Sequence, residues 1–84
     1  MATINQIELK KMRELDLHGT KHEDVDRIVE NFVLLNELPV RIITGNSLKM
    51  IELTKKVINK HQLKWEHHNP NFGAMIITDV SPKL

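Results

Sequence analysis

The sequence contains no cysteine, which excludes disulfide bonds, thiolate zinc sites and cysteine nucleophiles. It also lacks an apolar run approaching the ~20 residues of a membrane-spanning helix. The segment from Met1 to Lys11 has no apolar core of the kind found in secretory signal peptides. No internal repeat or low-complexity tract is evident. We therefore expect no membrane partner and a cytoplasmic location.

The length of the chain limits the kind of site it can build. Its 84 residues make one domain, and a chain this short buries only about 60–65% of its unfolded surface. A composition of 40% hydrophobic and 27% charged residues is typical of a globular domain. We expect a single domain over residues 13–84, with residues 1–12 as an N-terminal arm or short extra element. Any ligand site should be a shallow cleft or an edge.

Charge is unevenly distributed along the chain, although the net charge is only +1. Residues 1–38 carry five Lys/Arg and eight Asp/Glu, whereas residues 39–84 carry seven and three. The basic half could form a stripe for phosphates. A solvated helix face explains several of these lysines equally well. The residues concerned are Arg41, Lys49, Lys55, Lys56, Lys60 and Lys64.

The first half of the domain reads as a strand followed by a helix. Arg13 to His18 predicts a strand, because leucines alternate there with polar residues, and Gly19 ends it. Thr20 and Glu23 match a capping box at the start of the helix, which Pro39 terminates. Apolar residues at helical spacing form the stripe expected to face the core: Val25, Ile28, Val29, Phe32 and Leu35.

The second half begins with a β-branched run, Val40 to Thr44, which predicts a buried strand. Gly45-Asn46-Ser47 forms a turn in which Asn46 or Ser47 can cap the next helix. That helix should run from about Leu48 to His61. Its expected buried residues are Leu48, Ile51, Val57 and Ile58.

Two further strands complete the domain. Residues 63–68 alternate in polarity, as in an amphipathic edge strand, and residues 69–73 predict a loop. Ala74 to Val80 is the most apolar strand and should lie inside the sheet. The order is βαβαββ, and right-handed crossovers place both helices on one face. We predict a two-layer α/β sandwich with a mixed four-stranded sheet in the order 1-2-4-3.

The carboxyl ends of the first two strands should meet at one edge, where both helices begin. Free amides and positive dipole ends make such an edge a natural site for a phosphate. Asp16 and His18 are two residues apart on a predicted strand, so both should project from one face about 6.6 Å apart. A carboxylate and an imidazole can position a water or hydroxyl nucleophile, and histidine can act as a general acid. A hydrogen bond from His18 to the turn at Gly19 would explain the same spacing.

Two motifs at this edge carry a family resemblance. Leu15-Asp16-Leu17-His18-Gly19 resembles the LDLHG signature that opens small MutS-related (Smr) domains. The run VRIITGNS at residues 40–47 resembles their second motif, usually V-x-I-I-[HT]-G-x-G, and the helix between the two motifs fits. Residues 73–77, GAMII, resemble the family's final strand. The resemblance covers about residues 13–80.

The resemblance implies a fold like the C-terminal domain of bacterial translation initiation factor 3. It also implies DNA or RNA binding, with nicking endonuclease activity in several members. Asp16 and His18 correspond to the acid and histidine of the first motif, and Thr44 and Gly45 to the start of the second. The chain departs from the second motif where a lysine and a glycine are usual, because Asn46 and Ser47 stand there. Losing that glycine restricts how closely backbone can approach a ligand.

The sequence therefore favours an endonuclease with Asp16 and His18 as catalytic residues. The residues expected to bind phosphate are Gly19, Arg41, Thr44, Gly45, Asn46, Ser47 and Lys49. A requirement for a divalent cation, Mg²⁺ or Mn²⁺, stays open. The alternative is a non-catalytic module that binds nucleic acid or a ribonucleoprotein. A third class is a protein-interaction domain whose exposed sheet face pairs with another, larger protein or subunit.

Two other groups of residues have simpler interpretations. His67 and His68 are adjacent on a strand and point to opposite faces, so they cannot easily share a zinc ion with His61. We expect Trp65 to pack in the core. Phe72, in the predicted loop, could stack on a base or close the end of the hairpin.

Overall fold

The computed structural model describes residues 12–68 and 71–78, and the side chains of Asn71 and Phe72 are outside its description. Six elements follow one another as β1 (Arg13–Asp16), α1 (His22–Leu35), β2 (Val40–Ile43), α2 (Leu48–Lys60), β3 (Lys64–His68) and β4 (Asn71–Thr78). The predicted βαβαββ order is confirmed. The predicted N-terminal arm up to residue 11, residues 69–70 of the loop and the end of the last strand at 79–80 lie outside the described residues.

The four strands form one mixed sheet in the order β1-β2-β4-β3, as predicted. β1 and β2 are parallel, with Asp16 opposite Ile43. β4 is antiparallel to β2 on one side and to β3 on the other. β4 therefore lies inside the sheet and β3 at its edge, in agreement with the polarity of the two segments.

One hydrophobic core lies between the sheet and the helices. The two helices contact each other, and both contribute to the cluster that covers one face of the sheet, so the domain has two layers. The fully buried residues of the cluster include Leu17, Val25, Val29, Val40, Ile42, Ile58, Met75 and Ile77. Trp65 packs against it, as expected. No helix in the described part of the chain has the length and apolarity to cross a membrane.

The buried face of α1 differs from the predicted stripe. Val25, Val29 and Val33 are buried, whereas Leu35 is 79% exposed. Residues four apart lie nearly above one another on a helix, and a residue six positions from Val29 falls on its far side. Val25 and Val29 are thus confirmed, and Ile28 and Phe32 pack against the core as partly buried residues. The placement of Leu35 in the core is wrong.

The start of α1 also differs, because Lys21 is the N-cap residue and no side chain caps the helix. The predicted capping box of Thr20 and Glu23 is therefore wrong. The physical reason is the preceding turn, in which the Thr20 amide donates to the carbonyl of Leu17 at 2.9 Å. That turn uses Thr20 and moves the helix start by one residue.

The second helix begins where the sequence predicts. Ser47 is its N-cap, and its Oγ accepts a hydrogen bond from the Met50 amide at 3.1 Å. Leu48 was expected in the core but is 79% exposed, because it lies on the opposite side of the helix from the buried row. That row consists of Met50, Thr54, Val57 and Ile58.

The last strand is longer than predicted at its start. β4 begins at Asn71, so the loop expected over residues 69–73 is wrong for residues 71–73. Asn and Gly are disfavoured in strands, but pairing with β3 overrides this preference, and Asn71 lies opposite His68. A register shift between His67 and His68 accommodates the extra residues.

Candidate functional site

The edge formed by the carboxyl ends of β1 and β2 brings two loops side by side. Asp16 is opposite Ile43, and the Leu17 amide continues the pairing with a 2.9 Å hydrogen bond to the carbonyl of Ile43. The chain then turns away from both strands and enters α1 and α2. We call the loops of residues 17–21 and 44–47, together with Asp16, the sheet edge.

The first loop fixes the carboxylate of Asp16. β1 ends at Asp16, two residues earlier than predicted, so His18 belongs to a turn and not to the strand. The backbone amide of His18 donates to Oδ1 of Asp16 at 2.9 Å. Gly19 adopts a φ of 82°, which lets the chain close the turn. The motif thus forms a local turn in which the His18 amide holds the Asp16 carboxylate.

The side chains of Asp16 and His18 are both exposed. Within residues 12–68 and 71–78, the His18 imidazole makes no hydrogen bond, so the two side chains are neighbours in the turn without being bonded to each other. Asp16 keeps acceptor capacity on its second oxygen, since an ionised carboxylate has about four lone-pair sites. This arrangement leaves both groups accessible to a ligand in solution.

The second loop is tied to β4. The amides of Thr44 and Gly45 both donate to the carbonyl of Gly73, at 2.8 and 2.9 Å. The buried Thr44 hydroxyl lies 2.9 Å from the Gly45 carbonyl and 3.2 Å from that of Gly73. Gly45 has a φ of 73°, and no atom lies within 4 Å of the place where a Cβ would stand. The second loop is therefore anchored to β4 through the Gly73 carbonyl, and the space next to the Gly45 Cα is open.

The residues that follow Gly45 differ in whether their side chains already have a partner within the domain. Ser47 caps α2 through its hydroxyl, so one of the free amides at this helix end already has a partner. Asn46 and Lys49 are exposed, and neither makes an ion pair or side-chain hydrogen bond in the described residues. Asn46 and Lys49 remain able to contact a ligand at the sheet edge.

Arg41 does not join the sheet edge. Its side chain lies on the sheet face away from the helices, where Nε donates to Oε2 of Glu14 at 2.7 Å and NH2 also contacts that oxygen. Its NH1 lies 2.9 Å from Nδ1 of His68. The guanidinium thus links β1, β2 and β3 across the sheet. The structure gives Arg41 intramolecular partners where the sequence predicted a phosphate contact.

Sequence reasoning missed three residues of this region. Lys21 and His22 are exposed at the uncapped start of α1, where they line a shallow depression together with Thr20 and Glu23. They were missed because the predicted capping box made Thr20 the N-cap and so placed Lys21 and His22 inside a capped helix. Gly73 was missed because residues 69–73 predicted a loop, although its carbonyl anchors the second loop.

No group of three or more histidine, aspartate or glutamate side chains is arranged to hold a metal ion within the part of the chain that the structure describes. His61 and His68 lie in separate contacts. His61 Nε2 is 3.0 Å from Oε2 of Glu30 on α1, and His68 contacts Arg41 on the other face of the sheet. These histidines therefore serve as side-chain partners within the fold.

Comparisons of the chain with protein-family models, with curated proteins and with solved structures give no match.

Proposed function

We propose that this chain is a nucleic-acid-acting, Smr-like domain that nicks structured DNA or RNA, with Asp16 and His18 as its catalytic residues. The observation that carries the proposal is the intact LDLHG run at the sheet edge where both helices begin. The 1-2-4-3 mixed sheet with two helices agrees with the initiation-factor-like fold that the resemblance implies. We therefore propose that the domain has that fold.

The residues of the edge suggest how a phosphodiester would be cleaved. The oriented Asp16 carboxylate accepts a proton from a water molecule, whose oxygen attacks the phosphorus. The bond to the leaving oxygen breaks, and a protonated His18 donates its proton to that oxygen. The first amides of α1, which no side chain caps, face the non-bridging oxygens.

A second function, binding without cleavage, is favoured by the second loop. Ser47 occupies the position of a usual glycine, and its hydroxyl already bonds the Met50 amide. A backbone amide that already donates to an internal acceptor contributes less to the binding of an anion. In this case the sheet edge would hold the backbone of a nucleic acid or of a ribonucleoprotein and leave it intact.

The experiment that decides between the two functions is a cleavage and binding panel. Labelled single-stranded, duplex and branched DNA and RNA are incubated with the wild type and with an Asp16→Ala/His18→Ala variant, in Mg²⁺, Mn²⁺ or EDTA. Glu66→Ala is the matched control, because it removes an exposed carboxylate from the middle of β3, away from the sheet edge. Cleavage lost in the double variant and kept in Glu66→Ala supports the nuclease. Binding without cleavage supports the module, and neither activity at low salt contradicts both.

A further inference from the structure

The two helices that cover the sheet carry opposite charge. α1 contains four acidic residues and one arginine, a net charge of −3, whereas α2 contains four lysines and one glutamate, a net charge of +3. Both helices begin at the sheet edge and run side by side. A polyanion that approaches the edge therefore meets attraction over one helix and repulsion over the other.

Three of the lysines form a stripe along α2. Lys49, Lys56 and Lys60 are exposed and stand at i, i+7 and i+11, which places them on one side of the helix. With a rise of 1.5 Å per residue, they extend over about 16 Å. Lys49 begins this lysine stripe just after the Gly45 turn. The stripe therefore leads directly away from the sheet edge.

The lysines differ in the partners that they already have. Lys49 and Lys56 make no ion pair in the described residues, and Lys60 is 3.8 Å from Glu30 across the helix pair. That pair is largely exposed and contributes little. Lys55 lies outside the stripe, because its Nζ sits 4.3 Å from the centre of the Trp65 ring. Most of the charge of the stripe is thus available to an external anion.

Acidic residues border the lysine stripe. Asp26 lines the groove between the helices together with Lys56 and Lys60. Glu52, the one acidic residue of α2, is three and four residues from Lys49 and Lys56 and so lies next to both. A phosphate backbone that contacts these lysines therefore gains most over α2, and Asp26 and Glu30 repel it from α1.

We propose that a nucleic-acid strand held at the sheet edge continues along the lysine stripe of α2 and avoids α1. The stripe matches about five nucleotides of a B-form strand at 3.4 Å each. The nucleotides on one side of the phosphate held at the sheet edge would then lie over α2. This inference rests on the proposed nucleic-acid function and specifies the path of the bound strand across the surface.

The first test compares three substitutions to glutamine that each change charge by one. Lys56→Gln removes a stripe lysine, Lys64→Gln removes an exposed lysine from the opposite face of the sheet, and Glu52→Gln removes the acid beside the stripe. Affinity for a labelled duplex is measured over a range of salt concentrations. Losing one phosphate contact should weaken binding roughly eightfold at 0.1 M salt and lower the salt slope by about 0.9. We expect this for Lys56→Gln, an unchanged slope for Lys64→Gln and tighter binding for Glu52→Gln.

The second test locates the strand by cross-linking. Because the chain has no cysteine, a single cysteine can carry a photoreactive group at Asn59→Cys on α2 or at Asn31→Cys on α1. Both asparagines are exposed and chemically matched. The inference predicts cross-links to DNA or RNA from position 59 and a much lower yield from position 31.

The outcomes separate this inference from the function on which it rests. If the wild type binds no nucleic acid at low salt, the proposed function and the strand path both fall. If the wild type binds, and Lys56→Gln and Lys64→Gln weaken binding equally or both positions cross-link equally, only the path is overturned.

Discussion

The backbone amide of His18 donates a hydrogen bond to Oδ1 of Asp16 at 2.9 Å, so the histidine of the motif positions the acid through its main chain. Asn keeps an Oδ1 acceptor, whereas Ala has none. We therefore expect Asp16→Ala to lower the free energy of unfolding by about 0.5–1 kcal/mol and Asp16→Asn to leave it nearly unchanged. Urea denaturation of the two variants measures this difference.

The same pair of variants separates the structural role of Asp16 from a chemical one. If the carboxylate accepts a proton during cleavage, Asp16→Asn should be as inactive as Asp16→Ala although its turn is intact. Full cleavage by Asp16→Asn would contradict a catalytic role for the carboxylate.

Gly45 gives a second prediction, because its φ of 73° is unfavourable for residues with a side chain. No atom would contact an added Cβ within 4 Å, so the cost is that of the backbone alone. Gly45→Ala should destabilise the domain by about 1 kcal/mol. Gly45→Asn should cost less, since Asn enters the left-handed region more readily. Equal stability of Gly45→Ala and the wild type in urea would show that this turn has another conformation in solution.

Ser47 gives a third prediction, in which stability and binding change in opposite directions. Ser47→Ala removes the N-cap of α2 and should cost about 1 kcal/mol, whereas Ser47→Gly should cost only a few tenths. Ser47→Gly also frees the Met50 amide and introduces the glycine that is usual in the motif that residues 40–47 resemble. We expect it to bind nucleic acid more tightly than the wild type. Weaker binding by Ser47→Gly than by Ser47→Ala would count against the second loop as a phosphate contact.

The position of the buried face of α1 gives a fourth prediction, which compares two residues of that helix. Val33 is 4% exposed and Leu35 is 79% exposed. Val33→Ala should lower the free energy of unfolding by about 1.5–2.5 kcal/mol. Leu35→Ala removes more carbon atoms but should stay within about 0.5 kcal/mol of the wild type. A larger loss for Leu35→Ala would place the buried face of this helix where the sequence first suggested it.

The sequence pattern predicts the topology well, because polarity alternation and turn residues separate the elements clearly. The β-branched run at 40–43 and the edge pattern at 64–68 both lie where the periodicity indicates. The exact buried row of α1 could not be predicted in the same way. Ile28, Phe32, Val33 and Leu35 are all apolar, and only packing against the sheet and α2 decides which of them face inward.

The candidate site shows the same division between local and tertiary information. The motif residues Asp16 and Gly45 lie at the sheet edge, because Asp16 ends β1 and Gly45 comes shortly after the end of β2. Arg41 is a strand residue as well, but its partners Glu14 and His68 come from other strands. No local pattern announces such partners. The same holds for Gly73, whose carbonyl binds a loop that lies 28 and 29 residues earlier in the chain.

The hold of the Gly73 carbonyl on Thr44 and Gly45 has a thermodynamic consequence. The second loop keeps its shape only while β4 is in place between its neighbours, so the binding-competent population of the edge equals the folded population of the whole domain. Any molecule that binds there must stabilise the entire domain by mass action, by about 2.7 kcal/mol when it is present at 100 times its dissociation constant. A rise in melting temperature with added oligonucleotide would therefore report binding to the folded domain without any assay of cleavage.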